Sequence, residues 1–269
     1  MNPRPPDTPA RSGVPAGSSG SALPAVSVVM AAYNGVAFIE RQVMSILGQL
    51  RTGDELLIID DASTDATVDL LTGLQREHPC IVLHRNPENR GVIRTFERGI
   101  QLAQGDLLCL ADQDDVFLPG RLDYCRDYFA LNPGVDLLVQ DCREVDVDLQ
   151  TRRPSLFDAL GSGPGLLKNV YKNTFLGATM VFRRSIVPTV APFPPCIPMH
   201  DIWIGLAASL VHEIRFDPSV AILFVRHGQN QTPVRTPWRQ RIRWRLCLIV
   251  HLFLRRMRAA GRPRQVSHH

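Results

Sequence analysis

The sequence predicts an α/β protein whose doubly wound, mostly parallel sheet is flanked by helices and followed by a basic amphipathic C-terminal helix. Strand-like and helix-like segments alternate four times within about ninety residues, with short links between them, which is typical of βαβ units. The run 107–111 is apolar or small throughout, as expected for a strand buried on both faces of a parallel sheet. Residues 235–264 contain ten arginines and no acidic residue, which sets the tail apart from the domain.

Four strands and three helices are predicted in the first half of the chain. The strands are short apolar runs that end at polar residues: Val26–Ala32, Glu55–Ile59, Cys80–His84 and Leu107–Ala111. The helices have apolar residues near helical spacing: Val36–Leu50, a segment capped near Ser63 or Thr64 that ends near Glu77, and Val92–Gln104.

The second half is predicted to contain fewer regular elements. Arg121–Leu131 is predicted as a helix and Val135–Gln140 as a further strand. Residues 141–168 are polar and rich in Gly and Pro, which indicates a long loop. Thr179–Phe182 is predicted as a buried strand, and an apolar helix is predicted to begin near His200.

Composition predicts a globular domain between two tails. The chain has 269 residues, of which 45% are apolar and 21% charged. Residues 1–24 contain thirteen Pro, Gly or Ser and are predicted as a disordered leader, and 233–269 form the basic tail. The leader lacks the apolar core of a signal peptide, and the six cysteines lack CxxC spacing. We therefore expect a cytoplasmic protein with reduced, packed thiols rather than a disulfide framework or a zinc site.

Polar residues follow each of the first four predicted strands. They are Tyr33-Asn34, Asp60-Asp61, 86–94 and 112–115. Because the carboxyl ends of parallel strands share one edge of the sheet, these clusters are expected to line a single nucleotide crevice. Neither GxGxxG nor GxxxxGK[ST] is present, so the phosphates would be handled by a metal and arginine rather than by a glycine loop. For Asp112 and Asp114 alone, a solvated acidic turn is the alternative to a Mg²⁺ or Mn²⁺ site.

The first half resembles the nucleotide-sugar domain of glycosyltransferase family 2, which has the GT-A fold. Four segments carry the resemblance: 26–34, 57–65, 89–92 and 105–119. The Asp-Gln-Asp-Asp form at 112–115, followed by an aromatic residue and Leu-Pro, resembles the rhamnosyltransferase-like branch of that family. The resemblance divides the domain into a nucleotide-binding half, 25–120, and an acceptor half, 121–232.

The resemblance also implies which residues bind the nucleotide and the metal. The nucleotide-binding residues would be Ala32, Tyr33, Asn34, Asp61, Arg94, Asp112 and Arg226. Among them, Asp61 would hold the uracil or thymine edge of the base, and Arg94 would reach toward the base or phosphate. The ligands of Mg²⁺ or Mn²⁺ would be Asp114 as the principal residue, Asp112 and His227. Packing for Tyr33 and helix capping for Asp60-Asp61 are the structural alternatives.

For the acceptor half, the resemblance implies that Asp201 is the catalytic base that deprotonates an acceptor hydroxyl. His200 and Trp203 would shape the acceptor pocket, and Gly177 would pack beside the donor sugar. Helix capping is the alternative for the His-Asp pair, because carboxylates favour the start of a helix.

The resemblance therefore implies a metal-dependent inverting glycosyltransferase of cell-surface polysaccharide synthesis. The donor would be a dTDP- or UDP-linked sugar, with rhamnose as the leading candidate, and the acceptor a glycan or lipid-linked hydroxyl. A nucleotidyltransferase and a non-catalytic sugar-nucleotide-binding or membrane-scaffold protein are the alternatives. The tail could contact the inner face of a membrane peripherally or pack on the domain. Nucleic acid is not predicted as a partner, because basic charge alone is non-specific.

Overall fold

A computed structural model describes residues 23–228 and 237–260, with the side chains of 258–260 left out. Its strands are β1 Val26–Ala32, β2 Glu55–Asp60, β3 Ile81–Arg85, β4 Leu107–Asp112, β5 Val116–Phe117, β6 Leu137–Val145, β7 Thr151–Arg153, β8 Met180–Arg183 and β9 Ile214–Val225. Its α-helices are α1 Ile39–Leu47, α2 Thr67–Glu77, α3 Val92–Leu102, α4 Arg121–Leu131, α5 Leu156–Leu160, α6 Leu166–Tyr171, α7 Val187–Val190, α8 His200–Ala208 and α9 Trp238–Ala260. Short 3₁₀ turns cover Gly177–Thr179 and Arg184–Ile186.

The strands form one sheet in the order β3-β2-β1-β4-β8-β6-β9-β5, with β7 on the edge of β6. β1 to β4 are parallel, and Ala31 of β1 lies opposite Asp112 of β4. β8 enters antiparallel between β4 and β6, while β6 and β9 are parallel to each other. The parallel pairings are the longer ones, so the predicted α/β class and mostly parallel sheet are confirmed.

The core fills both sides of this sheet because successive strand side chains point to opposite faces. On one side, Val28 and Met30 of β1 pack in the apolar cluster that includes buried residues of α1 and α4. On the other side, Val29 packs in the cluster that includes Phe96 of α3 and Trp203 of α8. Burial of each such large side chain contributes about 1.5–3 kcal/mol to folding. The two layers hold the carboxyl edge of β1, β2 and β4 in fixed relation to the second half.

The second half is more regular than the sequence predicts. The predicted loop 141–168 contains the end of β6, together with β7, α5 and the first half of α6. The sequence analysis also missed β9, a strand that contains Pro218. Proline interrupts a sheet ladder, and the register of β6 with β9 shifts at this point, from Gln140 opposite Asp217 to Asp141 opposite Val220. The strand therefore continues around a bulge that its apolar pattern does not reveal.

The C-terminal helix α9 packs on the domain and also has an exposed apolar side. Cys247, Leu248 and Leu252 are buried in the cluster that contains α8. Arg255 donates to the carbonyl oxygens of Ala191 and Pro192. Within 23–228 and 237–260, no helix is long and apolar enough to cross a membrane. Of the predicted leader, only Leu23 and Pro24 are described, and neither lies in a regular element.

Cys196 and Cys247 form a disulfide, and this corrects the prediction that the cysteines are all reduced. The bond joins the loop before α8 to α9 across 51 residues of sequence. Cys80, Cys109, Cys125 and Cys142 are free thiols. Sequence spacing could not indicate the pair, because its two members come together only when α9 packs on the domain.

Candidate active site

A cavity of about 870 Å³ lies at the carboxyl edge of β1, β2 and β4. The four polar clusters that follow the first four strands all contribute to its wall, as the parallel topology predicts. The opposite wall comes from the second half of the domain. Its polar residues are Arg153, Asn173, Thr179, His200, Asp201, Arg226 and His227.

Gln113 joins the turns that follow β1 and β4. Its side-chain oxygen accepts from the backbone N–H of Tyr33 at 2.9 Å, and its amide donates to the Tyr33 carbonyl oxygen at 3.1 Å. A Cβ at Gly35 would lie 2.3 Å from the same side-chain oxygen, so this approach needs glycine. Asn34 has φ of 47° and accepts from Thr64 N at 2.8 Å. Ala32, Tyr33 and Asn34 therefore line a preformed part of the cavity.

Asp61 lines the cavity and also organises the loop before α3. Its Oδ1 accepts from Asn86 Nδ2 at 2.6 Å and from Arg90 N at 2.9 Å, and its Oδ2 accepts from Gly91 N at 2.8 Å. Gly91 has φ of 81°, a conformation that glycine adopts without strain. The Asp61 carboxylate has four acceptor positions, so it can accept one further hydrogen bond from a ligand. Its contact with a base stays a prediction.

Three carboxylates, Asp112, Asp114 and Asp115, follow β4. Burial, together with the negative charges of Asp114 and Asp201, raises the pKa of Asp112 to about 7. Burial and repulsion from Asp112 and Asp114 also raise the pKa of Asp115 well above its usual range. Asp115 Oδ1 accepts from Val225 N at 3.2 Å, whereas its buried Oδ2 has no partner among the described residues. Asp115 therefore joins this acidic turn to the end of β9.

The end of β9 delivers Arg226 and His227 to the cavity. His227 Nε2 lies 2.7 Å from Asp114 Oδ2, and the imidazole stacks on Phe38 with ring centroids 4.3 Å apart. Arg226 Nε lies 3.9 Å from Glu144 Oε1. The structure thus brings His227 to Asp114, as a shared metal site predicts, and places Arg226 on the same wall.

The donor atoms beside the acidic turn suit Mg²⁺ or Mn²⁺. Carboxylate oxygens and an imidazole nitrogen are ligands that these ions accept. Burial is the main cause of the raised pKa of Asp112, and repulsion from Asp114 and Asp201 adds to it. A divalent cation would relieve that repulsion. In the described part of the chain, the only set of three ligand atoms of His, Cys, Asp or Glu that lie within 4.8 Å of one another belongs to Cys196, Cys247 and His251. The disulfide occupies both sulfurs of that set. Asp112, Asp114 and His227 offer suitable ligand types, and His227 contacts Asp114, but the donor atoms of the three do not form such a set. A metal ion at this place therefore stays a prediction.

Asp201 lies in the first turn of α8, on the wall shared with Gly177 and His200. Burial raises the pKa of its carboxyl to about 6, while hydrogen bonds from Ile202 N and the Asn173 side chain act in the opposite direction. A carboxylate with a pKa near 6 is ionised at neutral pH and can still accept a proton, as a general base must. The structure places Asp201 on the cavity wall, and its role as the base stays a prediction.

His200 is buried beside Asp201 and stacks on Phe96, with ring centroids 4.1 Å apart. Burial lowers the pKa of its imidazole to about 3, so the ring is neutral. Neither ring nitrogen has a hydrogen-bond partner among the described residues. A Cβ at Gly177 would lie 2.7 Å from His200 Nε2, so Gly177 leaves room for the imidazole.

Two predicted site residues lie elsewhere. The Arg94 guanidinium pairs with Glu97 at 2.5 Å and donates to the Phe193 carbonyl oxygen at 3.0 Å, so it braces the loop after α7 rather than lining the cavity. Trp203 is fully buried, and its indole donates to the Val190 carbonyl oxygen at 2.7 Å. Contrary to the prediction, the structure places neither side chain at the nucleotide or the acceptor pocket.

Several lining residues were not singled out by the sequence analysis, among them Phe38, Gln113, Arg153 and Asn173. Gln113 lies within the acidic turn 112–115, and this position was the only signal in the sequence that it could line the cavity. Arg153 pairs with Glu144 at 3.3 Å, and Asn173 donates to Asp201 across 28 residues of sequence. Such partnerships depend on tertiary contacts, so no local pattern in the sequence indicates them.

The strand order and the acidic turn after β4 define a protein of the GT-A type. The solved structure of TarS 1-349 of S. aureus in complex with UDP-GlcNAc aligns with a TM-score of 0.64 at 18% identity, over 77% of this chain and 60% of that chain. The mannosyltransferase PcManGT from Pyrobaculum calidifontis, in complex with GDP-Man and Mn²⁺, aligns with a TM-score of 0.60 at 21% identity. That alignment covers 90% of this chain and 67% of PcManGT. Both likenesses show the fold.

Residues 27–188, more than half of the chain, match the model of glycosyl transferase family 2, and the chain belongs to that family. The dTDP-rhamnosyl transferase RfbG of Shigella flexneri is 27% identical over 217 residues, which cover 75% of this chain and 73% of RfbG. An uncharacterized glycosyltransferase of Nostoc sp. is 27% identical over 63% of this chain and 54% of its own length. The chain thus spans about half the length of several curated relatives.

Proposed function

We propose that the chain is a metal-dependent inverting glycosyltransferase. It would move a sugar from a nucleoside-diphosphate sugar to a hydroxyl of a glycan or lipid-linked acceptor in cell-surface polysaccharide synthesis, at the cytoplasmic side of the membrane. The observation that carries the proposal is one cavity lined by both the acidic turn 112–115 and the buried carboxyl of Asp201. These two groups supply a place for a diphosphate and a base for the acceptor.

The donor nucleotide would lie against the first half of the cavity wall. Ala32, Tyr33 and Asn34 would border the base, and Asp61 would accept a hydrogen bond from its edge. Arg226 would pair with a phosphate oxygen on the opposite wall. Asp114, with Asp112 and His227, would hold Mg²⁺ or Mn²⁺. When bound, that ion supplies positive charge to the departing diphosphate.

Asp201 would remove the proton from the acceptor hydroxyl. The acceptor oxygen then forms a bond to the anomeric carbon while the bond from that carbon to the diphosphate oxygen breaks. The proton resides on the Asp201 carboxyl, and the electron pair leaves with the nucleoside diphosphate. Neutral His200 backs the same wall, and both of its ring nitrogens are buried without a hydrogen-bond partner among the described residues.

Rhamnose from a dTDP-linked donor is the leading substrate. The printed name of the Shigella flexneri relative, a dTDP-rhamnosyl transferase, supports it, as does the aromatic-Leu-Pro sequence after Asp115. The solved neighbours are described with UDP-GlcNAc and GDP-Man, so a donor panel must include uridine and guanosine nucleotides.

The test combines ligand binding with turnover. We expect dTDP or UDP to raise the melting temperature only with Mn²⁺, because a ligand that binds the native state stabilises it. Asp114→Asn should abolish that rise. Asp201→Asn should keep it and lower kcat by about 10²–10⁴-fold. Asp127→Asn, an exposed position on α4, is the matched control. Binding without any sugar transfer would favour the non-catalytic alternative, and absence of binding by folded protein would overturn the proposal.

A further inference from the structure

Helices α6 and α9 expose a continuous set of apolar side chains. We call this set the α6–α9 face: Leu166, Leu167, Tyr171, Trp238, Ile242, Leu246, Ile249, Val250, Phe253, Leu254 and Met257. Along α9 these residues recur mostly at intervals of three or four, so they share one side of the helix. Leu167 is 84% exposed, Tyr171 76% and Phe253 64%. Apolar exposure on this scale marks an interaction surface.

α9 keeps this side exposed although its other side is packed. Cys247, Leu248 and Leu252 fill the contact with the domain, and Cys196 fixes the helix there through the disulfide. Rotation of α9 to bury its exposed side would break these contacts. The α6–α9 face therefore cannot be covered by the domain on which α9 packs.

The two helices are joined at Arg245. Its guanidinium donates to the Tyr171 carbonyl oxygen at 2.8 Å and lies 4.9 Å from the centre of the Tyr171 ring. On α9, Arg245 is one turn from Ile242 and Ile249, so Tyr171 lies at the edge of the apolar side. The α6 residues thus extend the surface of α9.

The charges around this face have one sign. Five basic residues are exposed on or beside the two helices: Lys168, Lys172, Arg239, Arg241 and Arg243. Neither α6 nor α9 contains an acidic residue. Apolar side chains flanked by arginine and lysine complement a bilayer with anionic headgroups, into which the apolar side inserts while the basic residues contact phosphate.

We propose that the α6–α9 face docks on an anionic lipid bilayer, with α9 parallel to its surface. A second copy of the chain is a poorer occupant, because a two-fold pairing of the same surface would bring arginines against arginines. α6 ends at Tyr171, two residues before Asn173, which lines the cavity and bonds to Asp201. Docking therefore brings the acceptor side of the cavity to the headgroup layer. Resting on the proposed function, this favours an acceptor hydroxyl carried on a lipid.

Flotation of the full chain with vesicles tests the docking without any substrate. We expect binding to vesicles of phosphatidylcholine with phosphatidylglycerol, weak binding to phosphatidylcholine alone, and loss of binding as salt is raised. Ile249→Ser with Phe253→Ser should lower partitioning at least tenfold, because two inserted side chains are removed. Leu131→Ser with Met44→Ser, at exposed apolar positions 78% and 50% accessible on other helices, is the matched control and should float normally.

The charges are tested separately with Arg239→Gln, Arg241→Gln and Arg243→Gln. Each removed charge should lower binding to anionic vesicles about fivefold, the factor that corresponds to ~1 kcal/mol per basic residue. Any of three results would overturn the proposal. They are equal binding to both vesicle types, no binding by folded wild-type protein, and normal flotation of the Ile249/Phe253 variant. A change from dimer to monomer in that variant, seen by sedimentation without vesicles, would assign the face to a second copy instead.

The docking and the transferase proposals fail in different assays. Asp201→Asn should float like wild type even when it transfers no sugar. The Ile249/Phe253 variant should keep its turnover of a short, lipid-free acceptor. Flotation of an inactive wild-type protein would leave the docking in place and remove only the inference about the acceptor.

Discussion

The side-chain amide of Asn173 donates a hydrogen bond of 3.2 Å to Oδ2 of Asp201. This hydrogen bond joins the segment after α6 to the first turn of α8, two parts of the chain that are distant in sequence. The bond stabilises the ionised carboxylate and so opposes the burial that raises the pKa of Asp201 to about 6. Asn173 is thus placed to set the pH range in which Asp201 can act as a base.

Replacement of Asn173 by alanine should move the acidic limb of the pH–rate profile upward. In the wild type, kcat/KM should rise with pH through about 6 as Asp201 ionises. Without the Asn173 amide the carboxylate loses a donor, its pKa rises, and the limb shifts to higher pH. Initial rates between pH 5 and 9 measure this, with Asn132→Ala at the end of α4 as control. If the acidic limb of Asn173→Ala lies at the same pH as that of the wild type, Asn173 does not influence the pKa of Asp201.

Gly177→Ala should impair turnover more than folding. The added Cβ would lie 2.7 Å from His200 Nε2, so the imidazole beside Asp201 must shift. We expect kcat to fall by about tenfold or more, because small displacements of catalytic groups are costly. Gly99→Ala, whose Cβ would lie 2.4 Å from Val29 Cγ1 on the helix–sheet contact, is the control. It should lower the free energy of unfolding by about 1–3 kcal/mol and leave the kcat of folded protein unchanged.

His200 should make the protein less stable in acid. Its pKa is about 3 in the folded state, below the ordinary value of 6.5, so the unfolded state binds more protons between these pH values. Stability contributed by the neutral ring is full above 6.5 and is lost as the pH falls toward 3. Between pH 7.5 and pH 5, the free energy of unfolding of His200→Gln should fall by about 2 kcal/mol less than that of the wild type. Urea unfolding at the two pH values measures the difference, and equal losses would contradict buried, neutral His200.

Cys247→Ser should lower stability under oxidising conditions. Closing a loop of 51 residues restricts the unfolded chain, and such a bond is worth about 2–4 kcal/mol. The oxidised, denatured wild type should titrate four thiols, because four cysteines are free. Addition of a reductant should bring wild type close to the variant in urea unfolding. Six thiols in the oxidised, denatured wild type would show that the bond is absent.

The first half could be predicted well because its signals are local. Both ends of each strand from β1 to β4 fall within one residue of the predicted position. Parallel topology then places Tyr33, Asp61 and Asp114 at one edge without further information. The positions of these residues at strand ends were therefore enough to predict that they line one cavity.

The errors in the site have a common physical origin. All but one residue of α8 are buried, so no apolar periodicity shows which side faces the cavity, and Trp203 was placed there wrongly. Arg94 lies close to the crevice in sequence, but Glu97 one turn later and the Phe193 carbonyl hold its guanidinium away. A long side chain goes to the partners that tertiary packing offers, and sequence position does not show them.

The bond between Cys196 and Cys247 closes a covalent ring of the chain that contains Asp201, Arg226 and His227. A single backbone cut inside this ring leaves both fragments attached to each other. Asp201 on α8 and the residues that follow β9 would therefore remain in one molecule after cleavage at any position from 197 to 246. The fragments would migrate as one species on a denaturing gel until a reductant separates them.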